Sequence, residues 1–277
     1  MTAITRRRTA VGRAIQTGRR QWRKWRADAH LISYPKCGRT WLVLLLGKAL
    51  EGHYGHRLRN PMKLRRFARP WRSVPYILQH HDGGPEFCCP EEIDPDKSSY
   101  TGRKVLFMVR DPRDVLVSSY FQNTRRNANF SGSLEEFVHQ RRGGIETIVA
   151  FYNLWAANRG TPADFHLVTY EDLQQDTAGE LRRALAFLGI PGISDEAIQS
   201  AVAFCDFSNM RRLEARNAFG TSRLAARDAS DPETFKTRKG EVGGYREYLQ
   251  GEDLAYVERV INEQLDPFYQ RYLGYSQ

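Results

Sequence analysis

The sequence predicts an α/β domain, a parallel sheet flanked by helices on both faces. Three observations carry this. Strand-like and helix-like segments alternate along most of the chain. Residues 104–109 form a nearly continuous apolar run, the pattern of a strand covered on both sides. That run leads directly into Asp111-Pro112, an N-cap followed by a proline at the first helical position. Such alternation yields parallel strands joined by helical crossovers, and the ligands of these sheets sit at the carboxyl ends of the strands.

Taken in order, residues 1–28 read as a basic arm, helical near 15–25 and carrying Trp22 and Trp25. Residues 29–34 form the first strand and 40–50 the first helix, and 74–78 is the second strand. After the strand at 104–109, Pro112 opens a helix. Ser133-Leu-Glu-Glu136 and Thr177-Ala-Gly-Glu180 have the capping-box pattern and start helices at 134–141 and 178–188. Between them lie a helix over 145–158 and a fourth strand over 165–169. Ser194 begins another helix, and 252–264 supplies the last long one. Residues 85–102 and 214–244 break the pattern and read as loops; loops this long in a compact fold are usually functional or mobile. With no repeat and no linker, a single domain over 29–277 follows the arm.

Composition narrows the function classes. Of 277 residues, 41% are hydrophobic and 27% charged, which is ordinary for a globular chain able to bury a core without disulfide or metal staples. The longest purely apolar run is only 41–46, against the ~20 residues a membrane helix needs. Cys37, Cys88, Cys89 and Cys205 have no zinc-site spacing, no metal is expected, and no signal peptide is read. The expected setting is reducing and cytoplasmic. The net charge of +10 is uneven. Residues 1–30 hold nine Lys and Arg against Asp28 alone, which leaves 33 bases against 31 acids in the rest. The basicity therefore belongs to the arm and gives no reason to expect nucleic-acid binding by the body. Two readings of the arm stay open: a leader that docks its tryptophans on the body, or a peripheral contact with anionic membrane.

Two motifs carry chemistry. Tyr34-Pro-Lys-Cys-Gly-Arg-Thr-Trp41 lies between a strand and a helix and offers a glycine turn, helix N-terminal amides, a lysine and a hydroxyl. These are the parts of a phosphate or sulfate cradle, though a plain strand–helix turn would look the same; the Walker A pattern is absent. In Val109-Arg-Asp-Pro-Arg-Asp-Val-Leu-Val-Ser-Ser-Tyr120, Arg110 at a strand end and Ser118 on the following helix can converge on one anion. Alternatively, Arg110 pairs with Asp114.

These two motifs resemble the 5′-phosphosulfate and 3′-phosphate signatures of the cytosolic-type sulfotransferases, which use 3′-phosphoadenylyl sulfate (PAPS). Three further segments match in the same order: Val168-Thr-Tyr-Glu-Asp-Leu173, Asp206-Phe-Ser-Asn-Met210, and Thr237-Arg-Lys-Gly-Glu-Val-Gly243. The likeness spans about 31–267. It implies a P-loop-like fold in which Lys36 contacts the transferring sulfuryl group, and the segment Cys37, Gly38, Arg39 and Thr40 cradles the 5′-phosphate, mainly through backbone amides. Trp41 and Phe207 sandwich the adenine, with Tyr170 and Cys205 at its edge. Arg110, Ser118, Arg238, Lys239 and Gly240 hold the 3′-phosphate. The family's general base is a histidine on the strand between the first two motifs, where Ile77-Leu-Gln-His-His-Asp-Gly83 offers two. The family register favours His81, with His80 in the place of a hydroxyl residue.

The departures are Arg39, where the family has a small hydroxyl residue, and Cys37, in place of Ser or Ala. The dimer motif Lys-x-x-x-Thr-Val-x-x-x-Glu is not found after Gly244, so the oligomeric state stays open. The implied reaction is in-line attack of an acceptor hydroxyl on PAPS, leaving adenosine 3′,5′-bisphosphate. The acceptor itself is open: a small alcohol or phenol, a lipid or a glycan. Phe67, Trp71, Tyr76, Phe87 and Phe121 in the variable loops hint at an apolar one. Two other readings are a small-molecule kinase with a degenerate phosphate loop, and a polyanion- or membrane-binding protein acting through its arm.

Overall fold

The computed structural model describes residues 22–68 and 73–274. Its centre is a four-stranded, all-parallel sheet: β1 (Ala29–Ser33), β2 (Ile77–His80), β3 (Lys104–Val109) and β4 (Asp164–Thr169), in the order β2-β1-β3-β4. Ile32 lies between His80 of β2 and Phe107 of β3, and Met108 faces Val168 of β4. Chain progression reverses direction at β1, so a crevice opens between the carboxyl ends of β1 and β3, where such sheets bind their ligands.

Helices flank the sheet in two groups. In one, α1 (Arg39–Tyr54) packs on α6 (Thr177–Phe187) and α7 (Asp195–Phe204). In the other, α2 (Pro112–Phe121) and α3 (Leu134–His139) pack with α4 (Ile145–Ala157) and α9 (Gly251–Gln264). The short α5 (Tyr170–Gln175) and α8 (Phe207–Ala215) lie near the carboxyl edge. Leu42–Leu46 of α1 and all of Val105–Val109 in β3 are buried, as a strand and helix enclosed on both sides require. Among the described residues no helix is long and apolar enough to cross a membrane.

Several expectations shift. The second strand begins at Ile77, not Val74, because Pro75 has no amide to give the ladder and the Tyr76 amide donates to the Asp28 carboxylate at 2.7 Å. The Ser133 capping box forms as expected. Thr177 does not cap: Asp176 accepts from the Gly179 amide, and the Thr177 hydroxyl donates to the Leu173 carbonyl oxygen. An aspartate one residue earlier is the stronger cap and takes the position. The expected loops contain short 3-10 turns, and α5 and α8 are helices that periodicity missed.

Most of the arm, and Trp71, lie outside the described residues. Residues 22–26 are helical, with Trp25 70% exposed, so the tryptophans do not dock on the body. Its ties are polar instead: Lys24 reaches Asp82 at 3.2 Å and the Tyr100 hydroxyl at 3.1 Å, and Arg103 donates to the Trp25 carbonyl oxygen.

Candidate active site

Each strand delivers a functional residue just past its carboxyl end: Lys36 after β1, His81 after β2, Arg110 after β3 and Tyr170 after β4. All four line one cavity of about 500 Å³. Every other residue predicted for the site lines it too, except Cys37.

The turn after β1 is tightly wound. Lys36 has a φ of 74° and Gly38 a φ of 88°, and Gly38 is the N-cap of α1. A non-glycine residue in this region stores about 1–2 kcal/mol of strain, held here by the packed turn. A Cβ on Gly38 would come within 2.6 Å of Tyr170 Cδ2, so glycine is demanded by both conformation and space. The Trp41 amide already donates to the Gly38 carbonyl oxygen, whereas the Arg39 and Thr40 amides precede the first helical bond, as at any helix N-terminus suited to an anion. Cys37 points the other way, into the core, with its Sγ 3.3 Å from the Tyr152 hydroxyl; burial pushes its thiol up to about 12, so it is no thiolate. Trp41 donates from its indole nitrogen to the Cys205 carbonyl oxygen at 2.9 Å and meets Tyr170 edge to face. The ring is thereby fixed before any ligand arrives.

Arg110 pairs with Asp114, as one of its two sequence readings expects, and also lines the cavity. Its Nη2 lies 3.1 Å from Asp114 Oδ2 and donates to the Glu241 carbonyl oxygen, and its guanidinium lies 4.4 Å over the Tyr170 ring. Among the described residues its Nε is buried without a partner, the kind of orphaned donor an incoming phosphate would satisfy. Ser118 lines the wall two turns along α2. Asp114 also accepts the amides of Gly243 and Tyr245, both at 2.9 Å, stapling the C-terminal loop to α2.

In that loop Gly240 has a φ of 73°, and its missing Cβ leaves room for the Phe207 ring at 2.6 Å from where it would stand. Gln174 Nε2 bonds both the Gly240 carbonyl oxygen and the Tyr170 hydroxyl. Arg238 donates to the Tyr248 hydroxyl and lies over the Phe121 ring, while Lys239 pairs with Glu247. Neither Gln174 nor Glu214 stood out in the sequence. Glu214 is fully buried, pairs with Arg126 at 2.7 Å, and accepts the amides of Lys236 and Thr237 and the Thr237 hydroxyl. A carboxylate at the start of a charged, aperiodic stretch gave no sign of burial.

The two histidines diverge. His81 Nδ1 bonds the Ser33 carbonyl oxygen at 2.8 Å and so carries the proton, leaving Nε2 as an acceptor. Burial, and then the Arg39 charge, hold its pKa well below the ordinary histidine value. The group occupying Nε2 is Arg39, whose Nη2 donates to it at 2.6 Å. His80 turns away: its Nε2 bonds His30, its Nδ1 accepts the Asp82 amide, and its ring stacks on Tyr100.

Lys36 donates to Gln122 Oε1 at 3.1 Å. Gln122 opens a π-turn, Gln122–Arg126, of the kind that re-aims side chains at functional sites. Lys236 and Glu86, unremarked in the sequence, line the cavity beside them.

The family model described as "Sulfotransferase domain" matches residues 26–268. Arabidopsis thaliana cytosolic sulfotransferase 17 is 25% identical over 264 residues, covering 85% of this chain and 73% of its own length. Rat sulfotransferase 2B1 is 26% identical over 252 residues, covering 86% and 71%. Among solved structures, retinol dehydratase in complex with androsterone and PAP superposes with a TM-score of 0.62 at 19% identity, covering 86% of this chain and 80% of its own. Mouse sulfotransferase SULT7A1 complexed with PAP superposes at 0.59 and 20% identity, covering 86% and 84%. The match along nearly the whole described chain, on the predicted fold, places this protein in the sulfotransferase domain family, and it is a sulfotransferase.

Proposed function

We propose that the protein moves a sulfuryl group from PAPS to an acceptor hydroxyl, with His81 as general base and Lys36 stabilising the leaving group. The observation that carries this reading is the convergence of all four strand ends on one cavity, whose lining includes both Lys36 and a histidine, His81, with an unprotonated ring nitrogen. The fit of the donor rests on three features: the glycine-wound turn at Gly38, the orphaned Nε of Arg110, and the presence of Trp41 and Phe207 in the wall of the same cavity. Two neighbours on this fold were solved with PAP, the desulfated donor.

When bound, PAPS supplies an activated sulfuryl group on a phosphate leaving group. The chain's own contribution is positioning and electrostatics. The turn amides, that of Arg39 among them, and the Thr40 hydroxyl hold the 5′-phosphate, and Trp41 and Phe207 clasp the adenine with Tyr170 and Cys205 at its edge. Arg110, Ser118, Arg238, Lys239 and the Gly240 amide hold the 3′-phosphate. Arg238 and Lys239 exchange Tyr248 and Glu247 for phosphate oxygens as they do so. His81 keeps its Nδ1 proton on Ser33, releases Arg39 from Nε2, and takes the acceptor's hydroxyl proton there. Lys36 leaves Gln122 to meet charge developing on the bridging oxygen. The names of the curated relatives support a cytosolic setting.

A thermal-shift titration tests the reading. Adenosine 3′,5′-bisphosphate should stabilise the protein and ATP with magnesium should not; the reverse result would favour a kinase. With labelled PAPS and a turned-over acceptor, His81→Ala should lose about 10²–10⁴-fold in rate with bisphosphate binding kept. If His80→Ala abolishes transfer and His81→Ala does not, the base is misassigned.

A further inference from the structure

The cations around His81 exceed what the donor requires. In the proposed complex Lys36 and the turn amides serve the phosphosulfate, and Arg110, Arg238 and Lys239 serve the 3′-phosphate. Lys236 remains, together with the outer half of Arg39. Among the described residues neither has a carboxylate within ion-pair distance. Arg39 Nη1 is buried without a hydrogen-bond partner, and Lys236 Nζ reaches only the Arg223 carbonyl oxygen, at 3.5 Å. Lys236 sits close enough to Lys36 and Arg39 to bear on both electrostatically. The nearby acids bear on this charge from a distance but pair with neither cation: Glu214 is committed to Arg126 and two amides, and Glu86 lines the cavity with an Oε2 that has no hydrogen-bond partner among the described residues.

Resting on the sulfotransferase reading above, we infer that the acceptor carries an anionic group, such as a carboxylate, near its reacting hydroxyl, held by Arg39 and Lys236. The geometry makes the two events one. Arg39 covers the Nε2 that must receive the proton, so the acceptor hydroxyl can reach His81 only by displacing it. A neutral acceptor would leave a recessed guanidinium without its imidazole partner, a loss a binding site discriminates against strongly. An anionic acceptor replaces the lost bond with a charge-assisted one, and Lys236 supplies the second cation. The aromatic loop residues that hinted at an apolar acceptor do not gather here: Phe67 is in the core and Phe121 packs on Tyr248, while Phe87 lines the cavity. The rival arrangement is that Arg39 swings to Glu86, neutralising itself and admitting uncharged acceptors.

The test is transfer from saturating PAPS to a panel of phenols and primary alcohols, each offered as a carboxylic acid and as its methyl ester. The acids should exceed their esters in kcat/KM by at least tenfold, the difference lying mainly in KM. Lys236→Met should shrink that ratio below threefold, and Lys236→Arg should restore it. Esters matching or exceeding acids, or a panel in which no acid reacts, would overturn the inference while bisphosphate stabilisation leaves the donor reading standing. Loss of bisphosphate stabilisation in the parent protein would instead remove the donor reading, and this inference with it.

Discussion

Substituting alanine for Gly38 isolates the demand the proposed donor site makes on the backbone. The residue sits at φ 88° as the N-cap of α1, and the added Cβ would approach Tyr170 Cδ2 to 2.6 Å and Met108 Cε to 3.1 Å. Left-handed strain alone costs about 1–2 kcal/mol. Relief requires the turn to open or the Tyr170 ring to move, and either displaces groups proposed to hold the nucleotide. At about 1.4 kcal/mol per tenfold, strain that the bound state must restore weakens adenosine 3′,5′-bisphosphate by roughly five- to thirtyfold, and the ring contact adds to that. Gly102→Ala is the control: its φ is 73°, a Cβ there meets nothing within 4 Å, and it does not line the cavity. Both variants bear the left-handed strain and should lose thermal stability, Gly38→Ala the more because of its ring contact, but only Gly38→Ala should lose affinity in a calorimetric titration. An unchanged Kd in Gly38→Ala would refute the claim that this turn and the Tyr170 ring form the cradle.

Three other outcomes follow from the same geometry. His81 must be neutral to act, and burial and Arg39 hold its pKa well below 6.5. The acid limb of kcat/KM for the donor, which reports the free enzyme, should therefore fall below pH 6.5, and Arg39→Gln should move it upward; a limb centred at or above 6.5 in the parent contradicts this. His30 is held at about 4 by burial and then Lys24, against 6.5 when unfolded. Its stabilising contribution is present above pH 6.5 and is lost as the pH falls towards 4, on the order of 3 kcal/mol, so urea midpoints should drop across that window and drop less in His30→Gln. Glu214→Gln strips the ion partner from Arg126 beneath the 236–240 loop, and should cost about 3–5 kcal/mol of stability while weakening the bisphosphate; a variant with parental melting and affinity would show that the loop is held by something else.

The framework was legible because it rests on local rules. The apolar run of β3, the Asp111 cap and the five ordered motifs each state their place within a few residues of sequence. The expected site residues, Cys37 apart, meet at one cavity for the reason the α/β pattern supplies: parallel strands bring all their carboxyl ends to one edge. What was illegible depended on partners far along the chain. Nothing near Pro75 told that the Asp28 carboxylate would take the Tyr76 amide and delay β2. Glu214 and Lys236 carry the charges of a solvated loop until Arg126, 88 residues away, shows one of them to be internal. Cys37 looked like a cradle residue because it stands inside the cradle-like motif, although its side chain faces Tyr152. The pairing of Arg39 with His81 spans 42 residues, and no motif spacing encodes it.

A division of labour among the charges accounts for the site's electrostatics. Two buried acids act on the scaffold: Asp114 holds two loop amides and Arg110, and Glu214 holds two loop amides and Arg126. Each fastens the C-terminal loop to a helix and, in doing so, leaves its own charge satisfied. The remaining cations, Lys36, Arg39 and Lys236, are therefore without carboxylate partners among the described residues. Burial lowers the pKa of each, that of Lys236 to about 7. Recessed cations in that condition cost stability in the free protein. On the proposed reading the cost is offset when an anion binds, because the same partners that would relieve it permanently would also close the site.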